Sequence, residues 1–537
     1  MQNNYSSIIR LSILTLLLSF FIIPIKAQTF EWINSRPLDY QYNPEMLKYV
    51  SCADEDGNVF HAGMKVFNLY YSSMYGDLFL TKYDGSGNLL FEDDIFGSAI
   101  VRHMETRNGL VILSGEFKGE INFPGGMYLT NPGSSAEFFL AVFDTYGQTQ
   151  KVFNLSQKFD NLNEVGVFAI DVYSNVYLPL SKWSQSELVK MDMDGNILQT
   201  ILQEDVALIN SVDIDPDNNI IVAGAFANTS SYFAGELMQP GTQDNMYVAK
   251  YSQGGEALWV TFVEDVIYTF HNQAKCDAEG NIYFSGLLLG AMTFGTFQAS
   301  GPDWVFDFFL AKINTEGEFV WLREVPDQTG TAGDASVGSL DFLDVDAQNN
   351  VYVSGFVRGT VDWGNGVVSS GNNYYDLLLI QFSSDGEPQW SKTGGSDSFV
   401  KSIDLSVDMQ GNCYMAAVGS GTMTFDTLSH YQEGFVYPFL IKVNSDLTVG
   451  TFSGNITKSI DINIFPNPAT EYIHFVSDDY PENEIRLSIS DLTGQILFLG
   501  YHSLSEKLDV SGFPNGLYIL DMKLNDGSRQ VKKFSVR

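Results

Sequence analysis

The chain has 537 residues, 14% aromatic and only 18% charged, which excludes a disordered polymer and allows two or more domains with cores of their own. A formal net charge of −36 excludes nucleic acid and anionic lipid as partners, because both demand a basic face. Abundant Tyr (27), Phe (40) and Gly (48) against few Pro (16) suit many short strands joined by tight turns.

In chain order, Arg10 precedes an apolar run from Leu11 to Ile25, and Lys26-Ala27 then gives way to Gln28. The run is short for a membrane span and ends at a small residue, so residues 1–27 are predicted to be a signal peptide; the alternative is an uncleaved anchor. No later segment reaches 18 continuous apolar residues, which predicts no transmembrane span in the mature chain. Cys52, Cys276 and Cys413 are too few and too far apart for a disulfide framework or a zinc knuckle, and read as small buried strand residues.

From about residue 49 a four-part pattern recurs. SLDFLDVD, the turn AQNN and VYVSGFV form one hairpin; after a longer connection, DLLLIQFS, SDGE and PQWSKT form a second. The first turn returns at Asn58, Asn108, Asn175, Asn219, Asn281, Asn350 and Asn412, giving seven units with a mean spacing of about 59 residues. One four-stranded sheet cannot bury both faces, but seven packed radially can, which predicts an all-β seven-bladed propeller over residues 28–455. FEWINSR (Phe30–Arg36) matches the fourth-strand pattern of ALWVTFVE and FVWLREV, while the last unit's own fourth strand is feeble. The segment around Trp32 is therefore predicted to complete the last blade and close the ring; a loose N-terminal arm is the alternative. Trp259, Trp321 and Trp390 share one repeat position, as inter-blade packing would require. These units resemble the bacterial seven-bladed propellers whose repeats carry a D-x-x-G-N-hydrophobic turn and a later tryptophan strand.

A new pattern begins near Asn455. Short alternating strands (YIHFVS, RLSISDLTG, QILFLGY, LYILDMKL, VKKFSV) and Gly-rich turns predict a small immunoglobulin-like sandwich over residues 460–537. Pro466-Asn467-Pro468, Asp491-Leu492-Thr493-Gly494, Leu508-Asp509-Val510-Ser511, Gly516-Leu517-Tyr518 and Lys532-Lys533-Phe534 follow one another in it. In order, spacing and terminal position this segment resembles the type A C-terminal sorting domain of type IX secretion. That resemblance implies Sec export, passage through the outer membrane guided by this domain, and release or attachment at the cell surface. It also implies the type IX machinery as a partner. Phe465 stands where Tyr is commoner, and Ser535 interrupts an otherwise apolar last strand.

Catalytic signals are sparse: G-x-S-x-G, HExxH and a phosphate loop are absent from the sequence. Asp213, Asp215 and Asp217 place oxygen ligands at alternate positions as calcium loops do; the competing reading is turn chemistry, since Asp and Asn are favoured there on backbone grounds. Asp54-Glu55-Asp56 and Asp192-Met193-Asp194 are shorter versions. Apart from calcium, no cofactor is indicated. His103, His271, Asp341 and Asp404 fall in or near first strands but over several blades, and are read as buried or turn-satisfied groups rather than a constellation. The function expected is an exported binding or scaffold module for an extracellular protein or polysaccharide. A hydrolase or lyase working in the propeller channel and a structural adhesin component are the rivals.

Overall fold

The computed structural model describes residues 28–35, 48–67, 75–242, 244–266, 272–302, 307–326, 334–372, 374–431, 436–444, 462–476, 484–491, 496–524 and 529–537. The expected signal peptide (1–27), His271, Gly494 and the junction near Asn455 lie outside them. Two compact units divide the chain, Met1–Thr448 and Val449–Arg537.

The first unit is built from antiparallel blades of four strands, several of them joined or extended into sheets of six to eight. In chain order their innermost strands are Tyr49–Ala53, the second half of Leu89–Arg107, Ala169–Ile170, Leu208–Ile214, Asn272–Cys276, Leu343–Val345 and Val400–Val407. Each innermost strand touches the next, and Val400–Val407 touches Tyr49–Ala53, so the seven blades form a closed ring. The last blade takes its outer strand from the start of the chain. Thr29–Ser35 pairs antiparallel with Tyr437–Asn444, Trp32 opposite Lys442. Blades 1 and 2 share the 19-residue strand Leu89–Arg107, which is outer in one and inner in the other.

Glycine in the second strand has a steric cause. A Cβ on Gly115, Gly224 or Gly355 would lie 2.3, 2.2 or 1.9 Å from the carbonyl oxygen of Ile100, Leu208 or Ser336 on the adjoining inner strand. Outer-strand aromatics join one blade to the next. Trp32, Trp259 and Trp321 donate their indole N–H to the carbonyls of Gly85, Thr315 and Ser384, each in the following blade's second hairpin turn. Gly87, Gly317 and Gly386 of those turns have φ of +82°, +89° and +78° and pass directly over the indoles. Trp259 and Trp321 thus pack between blades as expected, and Trp390, which makes no such hydrogen bond among the described residues, packs partly buried against the core around Phe30, Tyr437 and Phe439.

The longer middle connections hold hairpins that the repeat pattern did not reveal. Ser231–Phe233 with Glu236–Met238 adds to the outer strand Ile197–Glu204 of the preceding blade. Ala291–Phe294 adds to Ala257–Glu264, and Thr422–Phe425 to Pro388–Ser396. Each thereby covers an edge that would otherwise present open backbone groups.

The C-terminal unit has a three-stranded sheet (Asn463–Phe465, Tyr472–Val476, Leu508–Asp509) and a four-stranded one in the order Ile496–Ser503, Glu484–Asp491, Gly516–Leu524, Arg529–Val536. Ile473, Leu487, Ile489, Leu520, Met522 and Phe534 are among the residues of their shared buried core.

Candidate functional site

Alternating strand direction gives the ring two ends. At the turn end, each blade's first and second strands meet. Here Asp54, Asp171, Asp215, Asp277, Asp346 and Asp408 use one carboxylate oxygen to accept the N–H groups two and four residues on, and the Asn at the fourth position bonds back to the same carboxylate. Third-strand lysines complete the device: Lys82–Asp54 at 2.9 Å, Lys190–Asp171 at 3.0 Å and Lys250–Asp215 at 2.8 Å. Burial opposes the charge on Asp54, but Lys82 and Asn58 outweigh it and hold the carboxyl below its usual range.

Further along the inner strands, acidic and hydroxyl side chains accept backbone N–H groups from the next blade. Asp213 accepts from Cys276 at 2.7 Å, Asp344 from Val407 at 2.7 Å, Asp404 from Ser51 at 2.8 Å, Ser211 from Ala274 at 3.1 Å and Ser406 from Ala53 at 2.9 Å. These are open edge donors at the ring axis, where a neighbouring strand cannot pair fully. Lys275 stands 3.7 Å from Asp341. Burial works against its charge, yet Asp341, Asp213, Asp344 and Glu105 together raise its pKa. His103 faces Asp341 at 3.8 Å and Glu105 at 3.9 Å, with its ring edge on Phe168. Burial, only partly offset by Lys275, pushes the Asp344 carboxyl up to about 7.

The structure thus gathers His103, Asp341 and Asp404, which the sequence left scattered, and adds Glu105, Asp213, Gln273, Lys275 and Asp344. The reason is the ring itself: these residues lie in or beside the inner strands of blades far apart in the chain, which closure brings together at the axis. The calcium candidates are placed differently from one another. Asp213 is an inter-blade acceptor, Asp215 is held by its turn and Lys250, and Asp217 is exposed with its N–H on Asp215. Among the described residues no group of three or more His, Cys, Asp or Glu is arranged to hold a metal ion.

At the loop end, where second strands cross to third strands and one blade passes to the next, charge is mixed. Arg102, the bulged residue of blade 2, donates through Nε to Glu116 at 2.7 Å and lies 3.8 Å from Glu164. The Tyr75 hydroxyl donates to Glu116 at 2.7 Å. Lys48 and Lys401 open the inner strands of blades 1 and 7. Exposed aromatics stand on the second-to-third-strand connections: Tyr128, Trp183, Tyr374 and Tyr431 are 61%, 82%, 62% and 66% exposed. The turn end carries Tyr146 and Tyr173. An acidic depression of about 540 Å³ is lined by Glu92, Asp93, Asp94 and Gln148, and Lys65 already pairs with Asp94.

In the C-terminal unit the Pro466-Asn467-Pro468 segment clamps the last strand. The Asn467 side-chain oxygen accepts the N–H of Ser535 at 2.9 Å and its hydroxyl at 3.2 Å, and the amide donates to the Lys533 carbonyl at 3.3 Å. Ser535, which looked misplaced in the sequence, is therefore the partner of Asn467. Tyr518 packs on buried Phe534 and donates its hydroxyl to Pro514. Asp491 pairs through its backbone with Tyr518, Gly516 opens that same strand, Phe465 stacks on His474 at 5.1 Å, and Lys533 is exposed.

No curated protein matches the chain. Among solved structures it is similar to the Dos1 propeller (7% identity, TM-score 0.38, covering 78% of this chain and 96% of that one). It is also similar to a protein from Lactobacillus plantarum (12% identity, TM-score 0.38, 69% and 98% covered). Drosophila Plexin A in complex with Semaphorin 1b is a third (8% identity, TM-score 0.34, 78% and 88% covered). Among the described residues no helix is long and apolar enough to cross a membrane. Residues 463–537 match the family described as the secretion system C-terminal sorting domain, so the chain carries a type IX sorting tail, which indicates a secreted or surface-attached protein.

Proposed function

We propose that this protein is an exported binding module whose propeller holds glycans at its loop end, after delivery through the type IX machinery by the C-terminal domain. The observation that carries this reading is the set of exposed aromatics on one kind of connection, Trp183 above all at 82% exposure. Large flat rings left in water on neighbouring connections favour a partner that presents apolar faces and polar edges together, as sugars do. The expected test is glycan-array binding of the full-length protein and of Trp183→Ala. Binding to a restricted set of glycans, weakened at least tenfold by the substitution, supports the reading; equal binding by both proteins overturns it.

A hydrolase at the ring axis is the second reading, favoured by the gathering of Asp341, Asp404, Lys275 and His103. Its carboxylates are already committed, Asp404 to the Ser51 and Asp341 N–H groups and Asp341 to the Gln273 side chain. Product release from polysaccharides that is abolished by Asp341→Asn would favour this reading over the binder.

Residues 1–27 as a signal peptide, a propeller over 28–455 and a cleavable sorting domain over 460–537 complete the proposal. Removing residues 460–537 should leave the protein in the periplasm, whereas the full chain should appear outside without that domain.

A further inference from the structure

We infer that the loop-end mouth of the ring axis holds a site for an anionic group, a carboxylate or sulfate, seated among Lys48, Arg102 and Lys401. The glycan that would carry the group rests on the reading above; the anion site stands on its own.

Three consecutive inner strands, those of blades 7, 1 and 2, run side by side at the axis. Lys401 is the second residue of the first, Lys48 immediately precedes the second, and Arg102 occupies the bulge of the third. A bulge re-aims its side chain out of the ladder, here toward Glu116 and Glu164. Arg102, Lys401, Glu116 and Glu164 all lie near enough to Lys48 to act on its charge, in a chain whose formal charge is −36. The carboxylates are taken: Glu116 accepts both Arg102 and the Tyr75 hydroxyl, and Glu164 flanks the same guanidinium.

Lys48 is left over. Half-buried, it has no hydrogen-bond or ion-pair partner among the described residues. The charges that act on it are Arg102, Lys401, Glu164 and Glu116, and burial followed by the two like charges lowers its pKa to about 8. A desolvated ammonium between two other cations is stabilised by an incoming anion far more than an exposed lysine is. Aromatics on the adjoining connections would hold the sugar ring that bears that anion.

The test is calorimetric titration of the full-length protein with trigalacturonate, a sulfated galactose trisaccharide and neutral maltotriose. Either or both acidic sugars are expected to bind at least tenfold more tightly than maltotriose, and which of them does identifies carboxylate or sulfate. Lys48→Gln should remove the preference and Lys48→Arg keep it. In the wild type the preference should fade as pH rises through about 8, where Lys48 loses its proton. In Lys48→Arg it should persist. An unchanged preference in Lys48→Gln, or maltotriose binding as tightly as the acidic sugars, overturns the anion site and leaves the glycan reading intact. If no sugar binds but inorganic sulfate protects Lys48 from amine acylation, the glycan reading fails and the anion site stands. If sulfate gives no protection either, both fail.

Discussion

The two ends of the ring are made from the same repeat by opposite rules. At the turn end one device recurs in six of the seven blades, an Asp that organises its own turn and an Asn that returns to it, and in blades 1, 3, 4 and 5 a largely buried third-strand lysine stands on that Asp. At the loop end the connections differ. Blade 3 crosses from its second to its third strand through Trp183 in a short turn, while blades 4, 5 and 7 insert hairpins that reach the preceding blade. A repeated device suits a ring in which neighbouring blades meet in much the same way. Freedom to differ is what a binding surface needs. The comparison teaches that the part most visible as a repeat is scaffold, and that function is sought where the repeat breaks down.

The largest effect should come from the turn end. Lys250→Met leaves the Asp215 carboxylate buried without its cation, and a loss of about 3–5 kcal/mol is expected in denaturant unfolding. Next, Trp321→Ala removes the buried aromatic joining blades 5 and 6, with an expected loss of about 3 kcal/mol by the same measurement. If either change proves neutral, the turn end is not the scaffold described.

A smaller, signed effect separates an axial carboxylate from a turn-end one. Asp344 titrates near 7 in the folded ring, so between about pH 4 and pH 7 the folded state binds more protons than the unfolded one. Its contribution to stability is present below about pH 4 and is lost as pH rises through about 7. Asp54, held below its usual range, has the opposite sign: its contribution is present above the ordinary carboxylate range and is lost as pH falls. Asp344→Asn should therefore gain stability relative to the wild type on going from pH 4 to pH 7, whereas the deficit of Asp54→Asn should be full above about pH 4 and shrink as pH falls below it, as thermal unfolding across both ranges will show. The smallest effect belongs to the loop end. Trp183→Ala should change stability by less than about 0.5 kcal/mol while weakening glycan binding at least tenfold.

How much of this was legible in the sequence follows the same division. Asn-containing turns, the Trp259 and Trp321 positions and the completing strand at Trp32 were readable because each is fixed by backbone geometry that every blade shares. The hairpins of the middle connections were not, since two strands of three or four residues give little alternation to detect. A signal was nonetheless present: buried Phe233, Phe294 and Phe425 each immediately precede the turn of such a hairpin. The axial cluster was illegible for another reason. Gln273 and Lys275 come from blade 5 and Glu105 from blade 2, and only the closed ring brings these inner strands to one axis. In the C-terminal unit the order of motifs sufficed for recognition, but only the fold explains why Asn467 requires a partner such as Ser535.

The most direct test of the division between scaffold and binding end is hydrogen exchange of the full-length protein with and without saturating trigalacturonate. Protection confined to the loop end, around Lys48, Arg102, Trp183 and Lys401, is the predicted result. Protection centred on the turns at Asp54, Asp215 and Asp346, with none at the loop end, would contradict it.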